Sequence, residues 1–164
     1  MGQFYYEPQW LEVLKEHEEK LRFDAFTRED ALDIGLRIIR LAKEKYKGNA
    51  AVCIMEDDTV VFAYKMPGTN MENDWWMRRK RNVCKATGVS SIRAYVEMEL
   101  GLREATWQGR EGDFATCGGC MPVLMREGGI YAHIMVSGLE HQVDHQLIAD
   151  AVAEHLNVTI GSIA

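Results

Sequence analysis

The chain has 164 residues, of which 47% are apolar and 27% are charged, and its formal net charge at pH 7 is -6. This length is typical of one domain that buries its own core. The negative charge argues against a general nucleic-acid-binding protein, because contacts with phosphates require an excess of cations.

Targeting signals are not apparent in the sequence. The first residues lack the basic and apolar regions of a signal peptide. No apolar run approaches the ~20 residues that a membrane helix needs. We therefore expect a cytoplasmic protein without a membrane partner, in which the cysteines are mostly reduced.

The beginning of the chain predicts two helices. Pro8 opens the first one, which forms a helical extension over residues 1–22 of a single domain spanning 1–164. Thr27 provides the N-cap of the second helix, and Gly48 is expected to be its left-handed C-terminal cap. Gly35 lies on the apolar face of this helix, so we expect another element to pack closely against it.

The rest of the chain predicts two β-hairpins, three helices and one irregular segment. The second hairpin has the stronger signal, because both residues of its Gly128-Gly129 turn can take positive φ. Hairpins rather than βαβ units favour an antiparallel sheet covered by helices. The elements are strands at 51–55 and 60–66, helices at 71–87 and from Ser90 or Ser91 to Leu100, an irregular segment at 101–119, strands at 120–127 and 130–136, and a helix at 140–156.

The segment from Asn73 to Asn82 joins two adjacent tryptophans to four consecutive basic residues. Trp75 and Trp76 would be costly to leave exposed. Lys80 falls on the apolar stripe of the predicted helix, so it either lays its stem along the core with its ammonium in water or directs a cation at a ligand. The four basic residues cannot share one helical face, which leaves a solvated surface and an anion site as alternatives.

Cys117-Gly118-Gly119-Cys120 has the CxxC spacing of a metal-binding or redox pair. A structural zinc site needs two more ligands, and no second CxxC is present. Cys53 and Cys84 lie in apolar segments and are typical of core residues. The alternatives are a glycine-mediated chain reversal flanked by small side chains, or a Gly-Gly pair that presents backbone N–H groups to an anion.

Three histidines are candidate metal ligands. His141 and His145 lie one helical turn apart on one face, and His133 on the preceding strand could supply a third nitrogen. This is not the HExxH zinc motif, because residue 142 is glutamine and Glu140 precedes the first histidine. His145 would also suit an acid–base role, since histidine titrates near neutrality. Asp144 is expected to orient a histidine or to cap the helix.

Four segments give the chain a resemblance to a known family. It resembles the haem-degrading-domain (GlcG/HbpS-like) family and is most similar to its short stand-alone branch. The resemblance implies a compact α/β (α+β) domain with an antiparallel, profilin-like sheet of about five strands, symmetric homo-oligomers, and binding or breakdown of haem. The segments are FDAFTREDALDIGLRII at 23–39, NDWWMRRKRN at 73–82, FATCGGCMPV at 114–123 and VSGLEHQVDHQLI at 136–148.

One position departs from the family pattern. The stand-alone branch typically has a histidine before the Gly-Gly pair, where this chain has Cys117. A thiolate is a competent ligand for haem iron. The role of that histidine is therefore either lost in this chain or moved to a thiolate.

Three functional hypotheses follow. The first is an oligomeric small-ligand-binding protein whose ligand is haem or another tetrapyrrole. The second is an enzyme with a thiol or metal centre at Cys117, Cys120 and His145. The third is a non-catalytic assembly or interaction protein in which Trp75, Trp76 and the basic run at 78–81 form an interface. In the first hypothesis, the ligand-binding residues are Asn73, Asp74, Trp75, Trp76, Arg79, Lys80, Gly118 and Gly119, and the iron ligand is Cys117, His133 or His145. The wider set of candidate metal ligands is Cys117, Cys120, His133, His141 and His145.

Overall fold

The computed structural model describes residues 4–164 as five α-helices packed on a five-stranded sheet. The helices are α1 (Trp10–Lys20), α2 (Arg28–Glu44), α3 (Met71–Thr87), α4 (Ser91–Glu99) and α5 (His141–Leu156). The strands are β1 (Arg22–Phe23), β2 (Ala51–Glu56), β3 (Thr59–Lys65), β4 (Cys120–Met125) and β5 (Ile130–Ser137). The predicted α+β class is confirmed. Within residues 4–164, no helix has the combined length and apolar character of a membrane span.

The sheet has the strand order β1-β4-β5-β2-β3. The prediction of about five strands is confirmed, but the sheet is mixed rather than purely antiparallel, because β1 pairs with β4 in parallel. The other three pairs are antiparallel. The parallel pair could not be predicted from the sequence, because β1 has only two residues and these are too few to show an alternating pattern.

Side chains of the sheet alternate between two helical layers. Val52 and Ile134 face α2 and α5 and belong to the main core. Their neighbours along β2 and β5, Cys53 and Met135, face α3 on the other side. Helices α1 and α4 pack against each other in a smaller cluster that includes Leu14. The sheet is therefore covered by helices on both faces, and α3 and α5 lie on opposite sides of it.

Caps fix the ends of the helices that carry the candidate site. Thr27 caps α2 through a capping box with Asp30, as the sequence predicts. Asn70 caps α3 through an equivalent box in which Asn73 is the reciprocal partner. Gly88, with φ of 77°, ends α3 in the left-handed conformation. The position of α3, and with it the facing of its tryptophans, is thus defined at both ends.

Two glycines of the first half are required by close packing. A Cβ atom on Gly35 would lie 2.5 Å from Cδ1 of Phe62, which confirms the predicted close approach. The predicted left-handed cap at Gly48 is wrong, because Lys47 takes the positive φ of 56° instead. Glycine is favoured at position 48 for another reason, because a Cβ atom there would collide with the side chain of Leu139.

Candidate functional site

A cleft with a volume of about 500 Å³ lies between α3 and the beginning of α5. Trp76 from α3 and Phe4 from the N-terminal segment supply aromatic walls. Lys80 and Asp144 contribute charged groups, and Cys117 contributes a thiol. A concave site with aromatic walls and a few polar groups is the usual form of a small-molecule site.

Lys80 and Asp144 form a buried ion pair in this cleft. Their side chains are only 4% and 3% exposed, and the Lys80 ammonium lies 3.2 Å from an oxygen of Asp144. Lys80 Nζ also donates a hydrogen bond to the Val136 carbonyl at 2.9 Å. The second oxygen of Asp144 accepts the Leu139 N–H at 2.9 Å, so Asp144 fixes the turn before α5. Burial raises the pKa of Asp144 to about 6, although Lys80 acts in the opposite direction. The ammonium is therefore neither in water nor free for a ligand.

His141 lines the same cleft with both ring nitrogens already bonded. Its Nδ1 accepts the backbone N–H of Gly118 at 3.0 Å. Its Nε2 lies 2.7 Å from the Tyr5 carbonyl, which can only accept, so the proton is on Nε2. Burial lowers the pKa of His141, and the ring is therefore a neutral imidazole with a fixed tautomer.

Cys117 is 2% exposed and lines the cleft. Burial raises the pKa of its thiol, while the nearby Lys80 ammonium lowers it. The net direction is upward, so Cys117 presents a protonated thiol at neutral pH. Such a thiol becomes a metal ligand only if the metal displaces its proton.

The Gly118-Gly119 pair brings three backbone segments and one side chain together behind the cleft. A Cβ atom on Gly118 would lie 2.8 Å from the His141 carbonyl carbon and closer still to its oxygen. A Cβ atom on Gly119 would lie 2.5 Å from Lys80 Nζ and would also collide with the Val136 carbonyl oxygen. Close packing at these two glycines therefore joins β4, β5, α3 and the first turn of α5.

Three of the sequence candidates on α3 lie outside the cleft. Asp74 forms an ion pair with Lys65 at 2.8 Å. Trp75 is 39% exposed on the outer face of the helix. The Arg79 guanidinium lies 4.1 Å from the Trp75 ring centroid and donates hydrogen bonds to two carbonyls of the irregular segment, those of Gly112 and Phe114. Arg79 therefore fastens that segment to α3. Asn73, in contrast, lines the cleft and donates to Ser137 Oγ at 3.0 Å.

The candidate metal ligands lie in different parts of the fold. Cys120 faces α3 within a buried cluster beside Cys84. His133 lies toward the other end of β5, opposite Met55. His145 packs on α1. Within residues 4–164, no three histidine, cysteine, aspartate or glutamate side chains are grouped as ligands for one metal ion.

A hydrogen-bonded pair of histidines is a feature that sequence analysis missed. His17 Nδ1 lies 3.1 Å from His145 Nε2, although the two residues are 128 positions apart. His17 Nε2 lies 2.8 Å from the Gly161 carbonyl and must donate to it, so His145 Nε2 donates to His17 Nδ1. Burial lowers the pKa of both rings, which are therefore neutral. This pair joins α1, α5 and the C-terminal segment away from the cleft.

The N-terminal segment also contributes to the cleft without a sequence signal for that role. The ring of Phe4 packs on His141 with the centroids 4.9 Å apart. Its backbone N–H and carbonyl both bond the Tyr95 hydroxyl, at 3.0 and 2.8 Å. The segment is thus attached to α4 and α5 and closes one side of the cleft.

Comparisons with known proteins agree with this fold. The family model described as "Haem degrading protein HbpS-like" matches residues 26–153. A UPF0303 protein of Yersinia pseudotuberculosis serotype O:3 (strain YPIII) is 35% identical over 159 residues, covering 94% of this chain and 91% of the relative. The UPF0303 protein YE1367 of Yersinia enterocolitica serotype O:8 / biotype 1B is 34% identical over 160 residues, covering 94% and 93%.

Two solved structures share the fold at low sequence identity. The crystal structure of Ybr137w protein has a TM-score of 0.75 and 24% identity, covering 90% of this chain and 87% of the other. The structure of a PduOC:Heme complex has a TM-score of 0.65 and 17% identity, covering 84% and 98%. The family match covers most of the chain, and the chain therefore belongs to the HbpS-like family of haem-degrading proteins.

Proposed function

We propose that the protein binds a small molecule in the cleft between α3 and α5, and that this ligand is haem or another tetrapyrrole. Family membership supports a ligand of this class, and one structural neighbour is a complex with heme. The observation that carries the proposal is local. The cleft combines the aromatic walls of Trp76 and Phe4 with the thiol of Cys117.

Among the cleft residues, Cys117 suits the iron better than His141 does. An iron ion bound at His141 Nε2 would require the ring proton to move to Nδ1, where it would face the Gly118 N–H donor. Cys117 has no such conflict, since loss of its proton leaves a thiolate in the cleft. A bound haem would supply a redox-active iron. The protein would supply the thiolate, the aromatic walls and partial exclusion of water.

The basic residues that the sequence offers as ligand-binding residues are not free to pair with the propionates of a haem. Lys80 is already paired with Asp144, and Arg79 is bonded to the irregular segment. The rim of the cleft carries two further carboxylates, on Glu72 and Glu140. We therefore propose that propionates extend into solvent and that the contacts of the ring, rather than ion pairs, provide the affinity.

Haemin titration tests both parts of this proposal. Wild-type protein should show saturable haemin binding at micromolar concentration with a shift of the Soret band. Cys117→Ser should change the band position and weaken haemin binding by at least about tenfold, or 1.4 kcal/mol. Iron-free protoporphyrin, which needs no iron ligand, should bind wild type and Cys117→Ser equally.

The matched control is Cys53→Ser, which replaces a thiol outside the cleft and should bind haemin as wild type does. Trp76→Ala should weaken both haemin and protoporphyrin, because it removes one aromatic wall. If neither haemin nor protoporphyrin bound saturably to the wild type, the proposal would be overturned. Retained protoporphyrin binding with unchanged haemin spectra in Cys117→Ser would overturn only the role of the thiol.

The thiol- or metal-dependent enzyme has less support from the geometry. Cys117 faces the cleft, Cys120 faces a buried cluster under α3, and His145 bonds His17 beside α1. A nucleophile and its base act together only when they are within hydrogen-bonding reach. These three residues therefore do not form one catalytic centre in this conformation.

We also propose that the protein forms a homo-oligomer through the outer face of α3. Met71 and Trp75 are adjacent there and are 82% and 39% exposed. Exposed apolar patches commonly mark interaction surfaces. Trp75→Ser should therefore lower the mass measured by light scattering, whereas Leu102→Ser, at an exposed apolar position elsewhere, should leave it unchanged. An unchanged mass in both variants would exclude this face as the interface.

A further inference from the structure

A cluster of sulfur-containing side chains fills the space between α3 and the sheet. It has seven apolar members, and none is Leu, Ile, Val or Phe. The main core on the opposite face contains, within residues 4–164, no cysteine among its buried members. Three of the four cysteines of the chain, Cys53, Cys84 and Cys120, therefore lie in this cluster. The six sulfur-containing members are Cys53, Met55, Met77, Cys84, Cys120 and Met135.

The register of the sheet places three of these side chains in one row. Met135 on β5 lies opposite Cys53 on β2 and opposite Cys120 on β4. All three point toward α3, because residues directly opposite each other share a face. From α3, Cys84 donates a hydrogen bond from its thiol to the Cys120 carbonyl at 3.3 Å, and both side chains belong to the same buried cluster. Met77 of the same helix completes the cover.

We propose that Cys84 and Cys120 together bind one soft monovalent metal ion of the Cu(I) class, with the thioethers of Met77 and Met135 beside it. Thiolate and thioether ligands select Cu(I) over hard cations. Two thiolates are sufficient for Cu(I), which favours two-coordinate sites, so a group of three ligands is not required. Both thiols have no solvent-exposed surface, which would protect the ion from water and oxidants.

Binding requires two deprotonations and no redox change. The Cys84 thiol donates a hydrogen bond to the Cys120 carbonyl, so it carries its proton before the ion arrives. Each thiol then transfers a proton to solvent and forms one sulfur–copper bond, which leaves a complex with one negative charge. Burial raises the pKa of the Cys53 thiol, and the guanidinium of the buried Arg81 acts in the opposite direction. The positive charge of Arg81 would likewise favour the negatively charged complex.

Two further donors lie where an ion would approach the pair. Cys53 is half-buried and is therefore the thiol of the row that solvent reaches. His133 lies two residues before Met135 on the same face of β5, is 8% exposed, and has no hydrogen-bond partner at either ring nitrogen. A neutral imidazole with no hydrogen-bond partner has a lone pair to donate to an incoming ion. We assign both residues to the access route.

The test is anaerobic titration of the purified full-length protein with Cu(I) in the presence of a chromophoric Cu(I) chelator. Wild type should retain about one equivalent against the chelator and should release about two protons per ion in weakly buffered solution. Cys84→Ala and Cys120→Ala should each weaken retention by at least about tenfold. Cys117→Ala is the matched control, since its thiol is equally buried but lies outside the cluster, and it should retain Cu(I) as wild type does.

X-ray absorption of the copper-loaded wild type keeps the test independent of whether the variants fold. A copper shell made of sulfur atoms alone is the expected result. Loss of all copper to the chelator, nitrogen or oxygen atoms in the shell, or equal retention by wild type and Cys84→Ala would each overturn the proposal. Equal loss in Cys117→Ala would overturn the assignment to the sulfur cluster.

Discussion

Replacing Lys80 with Met is expected to lower the free energy of unfolding by about 3–5 kcal/mol near neutral pH, because it leaves Asp144 as an unpaired buried carboxylate. Methionine has nearly the same length as the apolar part of the lysine side chain, so it leaves no large cavity. The loss of stability therefore measures the effect of the missing charge. The effect should shrink as the pH falls, because loss of the Lys80 charge raises the pKa of Asp144 further and a protonated, neutral Asp144 needs no partner charge. Urea denaturation at about pH 5 and about pH 7.5 measures both quantities.

The pH dependence of the wild type has a defined sign at Asp144. Burial raises the pKa of this carboxyl to about 6 from its ordinary 3.8, so the folded state binds more protons between these values. The free energy of unfolding should therefore fall as the pH rises through this window, by up to roughly 3 kcal/mol at 1.36 kcal/mol per pKa unit. Asp144→Asn should remove this slope. His17 and His145 have lowered pKa values and make the free energy of unfolding rise with pH. The contribution of Asp144 is therefore the difference between the pH slopes of wild type and Asp144→Asn.

Lys65→Met is the matched control for Lys80→Met. Lys65 also forms an ion pair, with Asp74 at 2.8 Å, but the two side chains are 40% and 45% exposed. An exposed pair of this kind should contribute less than about 1 kcal/mol, with little change between the two pH values. Equal losses in Lys65→Met and Lys80→Met would contradict a special role of the buried pair.

Most of the fold can be predicted from the sequence because its boundaries are set by local signals. Asn70 and Gly88 cap α3, and the predicted range of 71–87 is the observed one. Gly128 and Gly129 both take positive φ in the predicted hairpin turn. The parallel strand β1 could not be predicted, since two residues carry no periodicity and its pairing partner lies about a hundred residues away.

The candidate site is harder to predict, because it depends on which face of α3 meets the sheet. Adjacent residues on a helix point about 100° apart, so Trp75 faces outward while Trp76 lines the cleft. The choice between them follows from packing, not from local pattern. Long-range partners add to the difficulty: Lys80 pairs with Asp144, and Phe4 reaches the cleft from the chain terminus.

Replacing Gly119 with Ala is expected to lower the free energy of unfolding by at least about 3 kcal/mol. Gly119 has φ of 127°, which an L residue rarely adopts, and its added Cβ would collide with the Val136 carbonyl and lie 2.5 Å from Lys80 Nζ. The substitution therefore has two costs: a strained backbone conformation, and a steric collision of the new methyl group at the back of the cleft. Thermal and urea unfolding measure the loss, and haemin titration shows whether the cleft is distorted.

Gly128→Ala separates the two causes, because Gly128 has φ of 109° but open space around its missing Cβ. Its cost should be the backbone strain alone, about 1–2 kcal/mol. The additional loss of stability in Gly119→Ala is then the cost of the steric collision. A double-mutant cycle with Lys80→Ala separates the contribution of the Lys80 side chain from that of the Val136 carbonyl. If the Lys80 ammonium is the main obstacle, Gly119→Ala should cost less stability in the Lys80→Ala background. If the Val136 carbonyl is the main obstacle, the cost should be the same in both backgrounds. Equal costs in Gly119→Ala and Gly128→Ala would contradict the close packing of Gly119 against β5 and Lys80.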